Sequence, residues 1–178
     1  MGADKAFLEF HSHTLLERAL ETMCAACGEV SIVGDTAKFA SYGTVVTDVY
    51  PGCGPLAGIH AALLSSSAEL NLMMAVDMPF VSRELLAFLL ATAAESDASV
   101  VVPRTSRGFQ PLCAVYRRAF GVVAEEALRA GKYKIDAVFS QVRVRAIDDE
   151  ELMRVGFSER MFFNVNTPED LRVAEDQR

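Results

Sequence analysis

Tryptophan is absent from the 178-residue chain, aromatic residues make up only 8% of it, and cations (17 Lys and Arg) are outnumbered by anions (24 Asp and Glu). The formal charge of −7 sets up a field that repels polyanions, which argues against nucleic acid as a partner. A small phosphate ligand stays compatible, provided a divalent cation and a local Lys or Arg offset its charge. No apolar run approaches the roughly 20 residues of a membrane span, and the N-terminus lacks the basic-then-apolar layout of a secretory leader. The expectation is a cytoplasmic chain with no membrane partner. Its four cysteines, Cys24, Cys27, Cys53 and Cys113, are then reduced thiols. Cys24-Ala-Ala-Cys27 has redox or metal spacing, but no second Cys or His pair accompanies it, and a structural role is the simpler reading.

What the chain has in quantity is aliphatic mass. Hydrophobic residues make up 51%, mostly Ala, Val and Leu, as helices packed on a sheet covered on both faces require. A domain of this length buries roughly 70% of the surface its unfolded chain exposes, so one domain over residues 1–178 needs no metal or disulfide to fold.

Periodicity divides the chain into alternating elements. Thr14 to Cys27 carries Leu15, Leu16, Ala19, Leu20 and Met23 at helical spacing, with Gly28 as the stop. Val30–Val33 and Thr44–Thr47 read as short strands around a weak helix near Ala37 to Ala40, and Pro51–Pro55 as a loop before a helix over Leu56–Leu64. The apolar run from Asn71 is a buried strand, Ser82 opens a helix reaching Glu95, and Ser99–Pro103 is another strand. Arg104–Phe109 reads as a loop, Pro111–Tyr116 as a strand, Ala119–Ala130 and Lys134–Phe139 as helices, Val142–Ala146 as a strand and Asp148–Val155 as a helix. Met161–Asn166 reads as a last strand, followed by a helix with Thr167 as cap and Pro168 in its first turn. The alternation predicts an α/β fold, a three-layer α/β/α sandwich with a mostly parallel sheet.

Four places carry candidate chemistry. Asp77 stands where a buried strand ends, and ligands of open α/β sheets collect at such ends; a metal ligand and a turn cap are both open readings. Lys5, in Met1-Gly-Ala-Asp-Lys5, can follow a phosphate as a mobile point charge or be a solvated surface residue. Gly54-Pro55-Leu56-Ala57-Gly58, after Asp48, lets backbone approach a ligand at the start of a helix, or is simply a tight packing turn. Asn164 and Asn166, alternating on the last strand, share a face, where two amides suit a polar ligand or tie down the turn.

Together, Met1-Gly-Ala-Asp-Lys5, Asp48 with Gly54-Pro-Leu-Ala-Gly58, Val76-Asp77-Met-Pro-Phe80 and Asn164-Val-Asn166-Thr-Pro168 resemble the molybdenum cofactor guanylyltransferases of the MobA family, in order and spacing across the whole chain. The resemblance implies a Rossmann-like nucleotidyltransferase fold. It also implies transfer of GMP from GTP to the phosphate of molybdopterin, with release of pyrophosphate and Mg²⁺ as cofactor. By position, Lys5 contacts the nucleotide phosphates and Asp77 ligates Mg²⁺. Asp48 with Gly54, Pro55, Leu56 and Gly58 forms the guanosine site, Asn164 and Asn166 lie on the reacting-phosphate and pterin side, and Gln110 and Pro111 line the pterin pocket. A molybdoenzyme or another cofactor-biosynthesis protein is the implied protein partner.

Members of that family open with a strand and a Leu-Ala-Gly-Gly-x-Ser-x-Arg segment that this sequence does not contain. The expectation drawn from this is that the native chain starts upstream of Met1, and that two strands here keep unpaired edges. Other readings stay open: a cytidylyltransferase or sugar-phosphate nucleotidyltransferase on the same fold, and a non-catalytic module that delivers cofactor.

Overall fold

A computed structural model describes residues 5–176. Lys5–Phe7 forms a 3-10 turn, followed by a two-residue hairpin of β1 (Glu9–Phe10) and β2 (His13–Thr14). Helix α1 (Leu15–Ala26) starts from a capping box, Thr14 accepting from the Glu17 amide while the Glu17 carboxylate accepts from Thr14 N–H. Then come β3 (Ser31–Val33), α2 (Thr36–Phe39), β4 (Thr44–Val46), α3 (Pro55–Ser65), β5 (Leu70–Met74) and α4 (Arg83–Ala94), the last capped by Ser82. The chain continues through β6 (Val100–Thr105), β7 (Gly108–Phe109), β8 (Cys113–Arg117), α5 (Phe120–Arg129), α6 (Ile135–Phe139), β9 (Val144–Asp148), α7 (Asp149–Arg154), a 3-10 helix at Glu159–Phe162 and α8 (Pro168–Asp176).

The side chains of the main sheet alternate between two cores. Val100 and Val102 of β6 and Ala114 and Tyr116 of β8 pack with Leu56, Ile59 and Leu63 of α3, Phe120 of α5 and Val138 of α6. Val101, Cys113, Val115 and Ile147 point the other way, into Leu85, Leu86 and Leu89 of α4 and Leu152 of α7. Since successive strand residues face opposite sides, two separate cores mean helices on both faces, the three-layer sandwich read from the aliphatic runs. Cys113, fully buried, has its thiol pushed up to about 12 by desolvation and is chemically inert, while Cys27 packs at the edge of the second core. No helix among the described residues is long and apolar enough to cross a membrane.

The sheet is mixed where a mostly parallel one was read. β5, β6 and β9 run the same way, but β8 is antiparallel to both β5 and β6. The cause is the link between β6 and β8, which is too short for the dozen or more residues of a parallel crossover. Arg104–Phe109, read as a loop, is a hairpin instead: β6 reaches Thr105 and pairs with β7. β3 and β4 form a parallel pair of their own. Among the described residues β3 pairs only with β4 and β5 only with β8, so each keeps an unpaired edge.

Candidate active site

The apolar residues of β5 stop at Met74, and the chain turns through Asp77 before Ser82 starts α4. Main-chain bonds pin this turn: Ala75 N–H donates to Leu112 O at 2.7 Å and Val165 N–H donates to Asp77 O at 2.8 Å. Asp77 is thereby held 94% buried at the end of the strand (6% exposed). One carboxylate oxygen, Oδ2, is paired with the Lys5 ammonium. The other, Oδ1, is buried and has no hydrogen-bond partner among the described residues. A buried oxygen without a partner is costly, and a bound ion or ligand that completes it is one of the explanations such a group calls for.

Lys5 reaches this position because Phe10 and Leu15, just after it in the chain, pack with Val165 and Ala174 and against Val76 and Phe80. Its Nζ also donates to Asn166 Oδ1 at 3.2 Å. The Lys5 side chain is 45% exposed and that of Asp77 only 9%, so the cation lies at the mouth and the carboxylate on the floor. Lys5, Asp77 and Asn166, far apart in the chain, thus meet as one cluster. Residues 1–4, the rest of the Met-Gly-Ala-Asp-Lys motif, lie outside the described residues.

Met161–Asn166 is not a strand. Met161 and Phe162 end the 3-10 helix at Glu159–Phe162, and the remainder is irregular, tethered by Val165 with its side chain fully buried. The two asparagines consequently do different things. Asn166 joins Lys5, whereas the Asn164 amide donates to Phe162 O at 3.3 Å. The α8 start is as read: Asp170 N–H donates to Thr167 Oγ1 at 3.1 Å, and the Asp170 carboxylate accepts from Asn166 N–H at 3.0 Å and Thr167 N–H at 2.8 Å.

The glycine loop has a firm backbone requirement. Gly54 has φ +73° and ψ −166°, a region essentially reserved for glycine, while nothing lies within 4 Å of where its Cβ would be. At Gly58 the backbone is less demanding: a Cβ there would sit 3.4 Å from Val33 Cγ1 and 3.8 Å from Asp48 Oδ1, ordinary van der Waals contact. Gly58 thus places α3 beside Val33 of β3 and Asp48, whose carboxyl pKa is raised above the usual range by partial desolvation. Leu56, read as part of the nucleotide site, has its side chain wholly in the core, which leaves only its backbone for a ligand.

Gln110 is buried, its amide donating to Thr105 Oγ1 at 3.2 Å and more weakly to Gly108 O at 3.4 Å, while Pro111 O accepts from the Tyr116 hydroxyl at 2.7 Å. Gln110 lines a cleft of about 330 Å³ together with Thr105, Glu159, Arg160, Phe162 and Phe163. The cleft adjoins the Asp77 turn through Phe80, whose ring lies 6.3 Å from that of Phe163 and 4.7 Å beneath the Arg160 guanidinium. Glu159 and Arg160 escaped the sequence reading because a short apolar run such as Met161–Val165 does not distinguish a strand from a helical turn.

Among the described residues no three His, Cys, Asp or Glu side chains converge on a metal position. A divalent cation here would rest on Asp77 and complete its shell with ligand oxygens and water. Mg²⁺ accepts that donor set, since it binds through one or two carboxylates plus substrate phosphates and keeps several waters.

The family model for the MobA-like NTP transferase domain matches residues 1–145. A molybdenum cofactor guanylyltransferase of Desulfosudis oleivorans is 35% identical over 176 residues, 98% of this chain and 87% of that protein. A probable molybdenum cofactor guanylyltransferase of Pelotomaculum thermopropionicum is 38% identical over 173 residues, 96% of this chain and 83% of the relative. Among solved structures, molybdopterin-guanine dinucleotide biosynthesis protein A of Archaeoglobus fulgidus superposes with a TM-score of 0.85 at 28% identity, covering 98% of this chain and 90% of the other. A family model over residues 1–145 and relatives of 35% and 38% identity over nearly the whole chain make the chain a member of the MobA-like NTP transferase family.

Proposed function

We infer that the chain transfers GMP from GTP to the phosphate of molybdopterin in the cytoplasm, releasing pyrophosphate and yielding the guanine dinucleotide cofactor for a downstream molybdoenzyme. The relatives named above support the substrate pair. The observation that carries the chemistry is the Lys5–Asp77–Asn166 cluster with its unpartnered carboxylate oxygen.

In the reaction an oxygen of the molybdopterin phosphate attacks the α-phosphorus of GTP, and the bond from that phosphorus to the β-phosphate bridging oxygen breaks. Two anions must meet in line, so the work is positioning and charge neutralisation. When bound at Asp77, Mg²⁺ supplies Lewis-acid neutralisation of phosphate charge. Lys5, half exposed at the mouth, is free to leave Asp77 for the triphosphate and offset the charge that collects on departing pyrophosphate. Asn166, whose main chain is fixed by Asp170, offers an amide to the acceptor phosphate. Asn164 serves the same side after exchanging its bond to Phe162 O, Gln110 faces the pterin, and Asp48 with the Gly54–Gly58 turn holds the guanosine.

The test is nucleotide protection followed by turnover. GTP with Mg²⁺ at about 100 times its dissociation constant stabilises the fold by roughly 2.7 kcal/mol, and CTP gives a smaller melting shift. Adding molybdopterin then releases pyrophosphate. A larger shift with CTP makes the chain a cytidylyltransferase, and protection without pyrophosphate release makes it a binding module.

A further inference from the structure

We propose that Glu159 reads the hydrogen-bond donor edge of the acceptor's pterin ring, an assignment that rests on molybdopterin being the acceptor. The cleft beside the Asp77 turn has about 330 Å³, near the lower end of the roughly 300–1,000 Å³ of small-molecule sites, which suits a fused bicycle better than a whole nucleotide. Phe162 and Phe163 supply apolar walls for the faces of such a ring. Its edges must then meet polar groups, and two of those present acceptors. Gln110 spends its amide nitrogen on Thr105 and Gly108, which turns its oxygen over to other donors. Glu159 is set at the rim with its Oε1 accepting from the Ser106 hydroxyl at 2.7 Å and lying 3.8 Å from Arg107 Nε.

A pterin presents its ring N–H and its 2-amino group side by side, two parallel donors that a carboxylate accepts in a bidentate pair. Ser106 and Arg107 neighbour the Glu159 carboxylate at the tip of the β6–β7 hairpin and engage its Oε1 from one side, which favours one orientation before the ligand arrives. The chain then runs from Phe163 at the cleft through Asn164 to Asn166 at the Lys5–Asp77 pair, the direction in which the phosphate of a pterin seated there has to point. Guanine carries a similar donor pair, and the glycine turn at Asp48 belongs to a different part of the fold, so the two rings are separable by experiment.

The full chain is titrated with free pterin and with lumazine, in which oxygen replaces the 2-amino group. The wild type binds pterin on the order of tenfold or more tightly than lumazine, because a bond to a charged acceptor is among the stronger ones. Glu159→Gln, which keeps shape and loses charge, abolishes the preference and raises the KM for molybdopterin by about the same factor, with kcat, the KM for GTP and the melting temperature near wild type. An unchanged preference in the variant, equal weakening of both rings, no binding of either ring by the wild type, or a rise in the KM for GTP overturns the assignment. If pterin binding follows Glu159 but no pyrophosphate is released, the transferase reading fails while the pterin site stands.

Discussion

At Asp77 a single side chain carries opposite demands of stability and chemistry. A buried carboxylate oxygen with no partner lowers stability, and the Lys5 cation that pairs with the other oxygen is itself half in water, which weakens what it returns. Asp77→Asn, neutral and of the same shape, is therefore expected to melt no lower than the wild type, by calorimetry or dye binding; a drop of several degrees would make the carboxylate a structural group. Strain of another kind sits in the β1–β2 turn, where His11 (φ +50°) and Ser12 (φ +69°) adopt the left-handed conformation. That conformation costs a non-glycine residue about 1–2 kcal/mol, against about 0.5–1 kcal/mol of extra chain entropy lost by glycine. Ser12→Gly is expected to gain about 0.5–1 kcal/mol in urea denaturation. Asp77 was legible because one acidic residue after a long apolar run marks a strand end. The hairpin was not, because its turn is His-Ser rather than the Asn-Gly that signals such turns.

Among the elements, most helices were legible from apolar periodicity, with a cap read in the sequence only at Ser82 and Thr167, and the structure adds further local caps. Thr14, Ser82 and Asp148 each accept from the amide three residues on, as a local motif can specify. The 3-10 helix at Glu159–Phe162 has no such side-chain cap, and its shape is decided by Phe162 and Val165 reaching into cores built by distant segments. For that reason the common face of Asn164 and Asn166 was misread while the α8 start was not. The α8 start is also acid-sensitive. The Thr167 hydroxyl, with the Asn166 and Thr167 amides, holds the Asp170 carboxyl below its usual range. A depressed folded value means a contribution fully present above the unfolded aspartate value of about 3.9 and lost as pH falls through the folded one. Amide protection at Asn166 and Thr167, measured as exchange relative to the intrinsic rate at each pH, is accordingly expected to fall below about pH 3.9, and Asp170→Asn to remove that pH dependence.

For the molecule as a whole, the aliphatic runs were enough to give two cores and three layers, since strands covered on both faces can only be apolar throughout. Strand order was not readable, because it depends on which connections are long enough to cross over. Nor was the pairing of β3 with β4 apart from the five-stranded sheet. The site inherits this long-range character: Lys5, Asp77 and Asn166 come from the start, middle and end of the chain, and only packing of the first hairpin against α8 and the Asp77 turn joins them. The most direct test of the account is guanylyl transfer by Asp77→Asn against the wild type, with GTP, molybdopterin and matched Mg²⁺, read as pyrophosphate and dinucleotide product. Loss of product by several orders of magnitude in a variant that folds and melts normally is the predicted result; turnover at the wild-type rate would contradict the account.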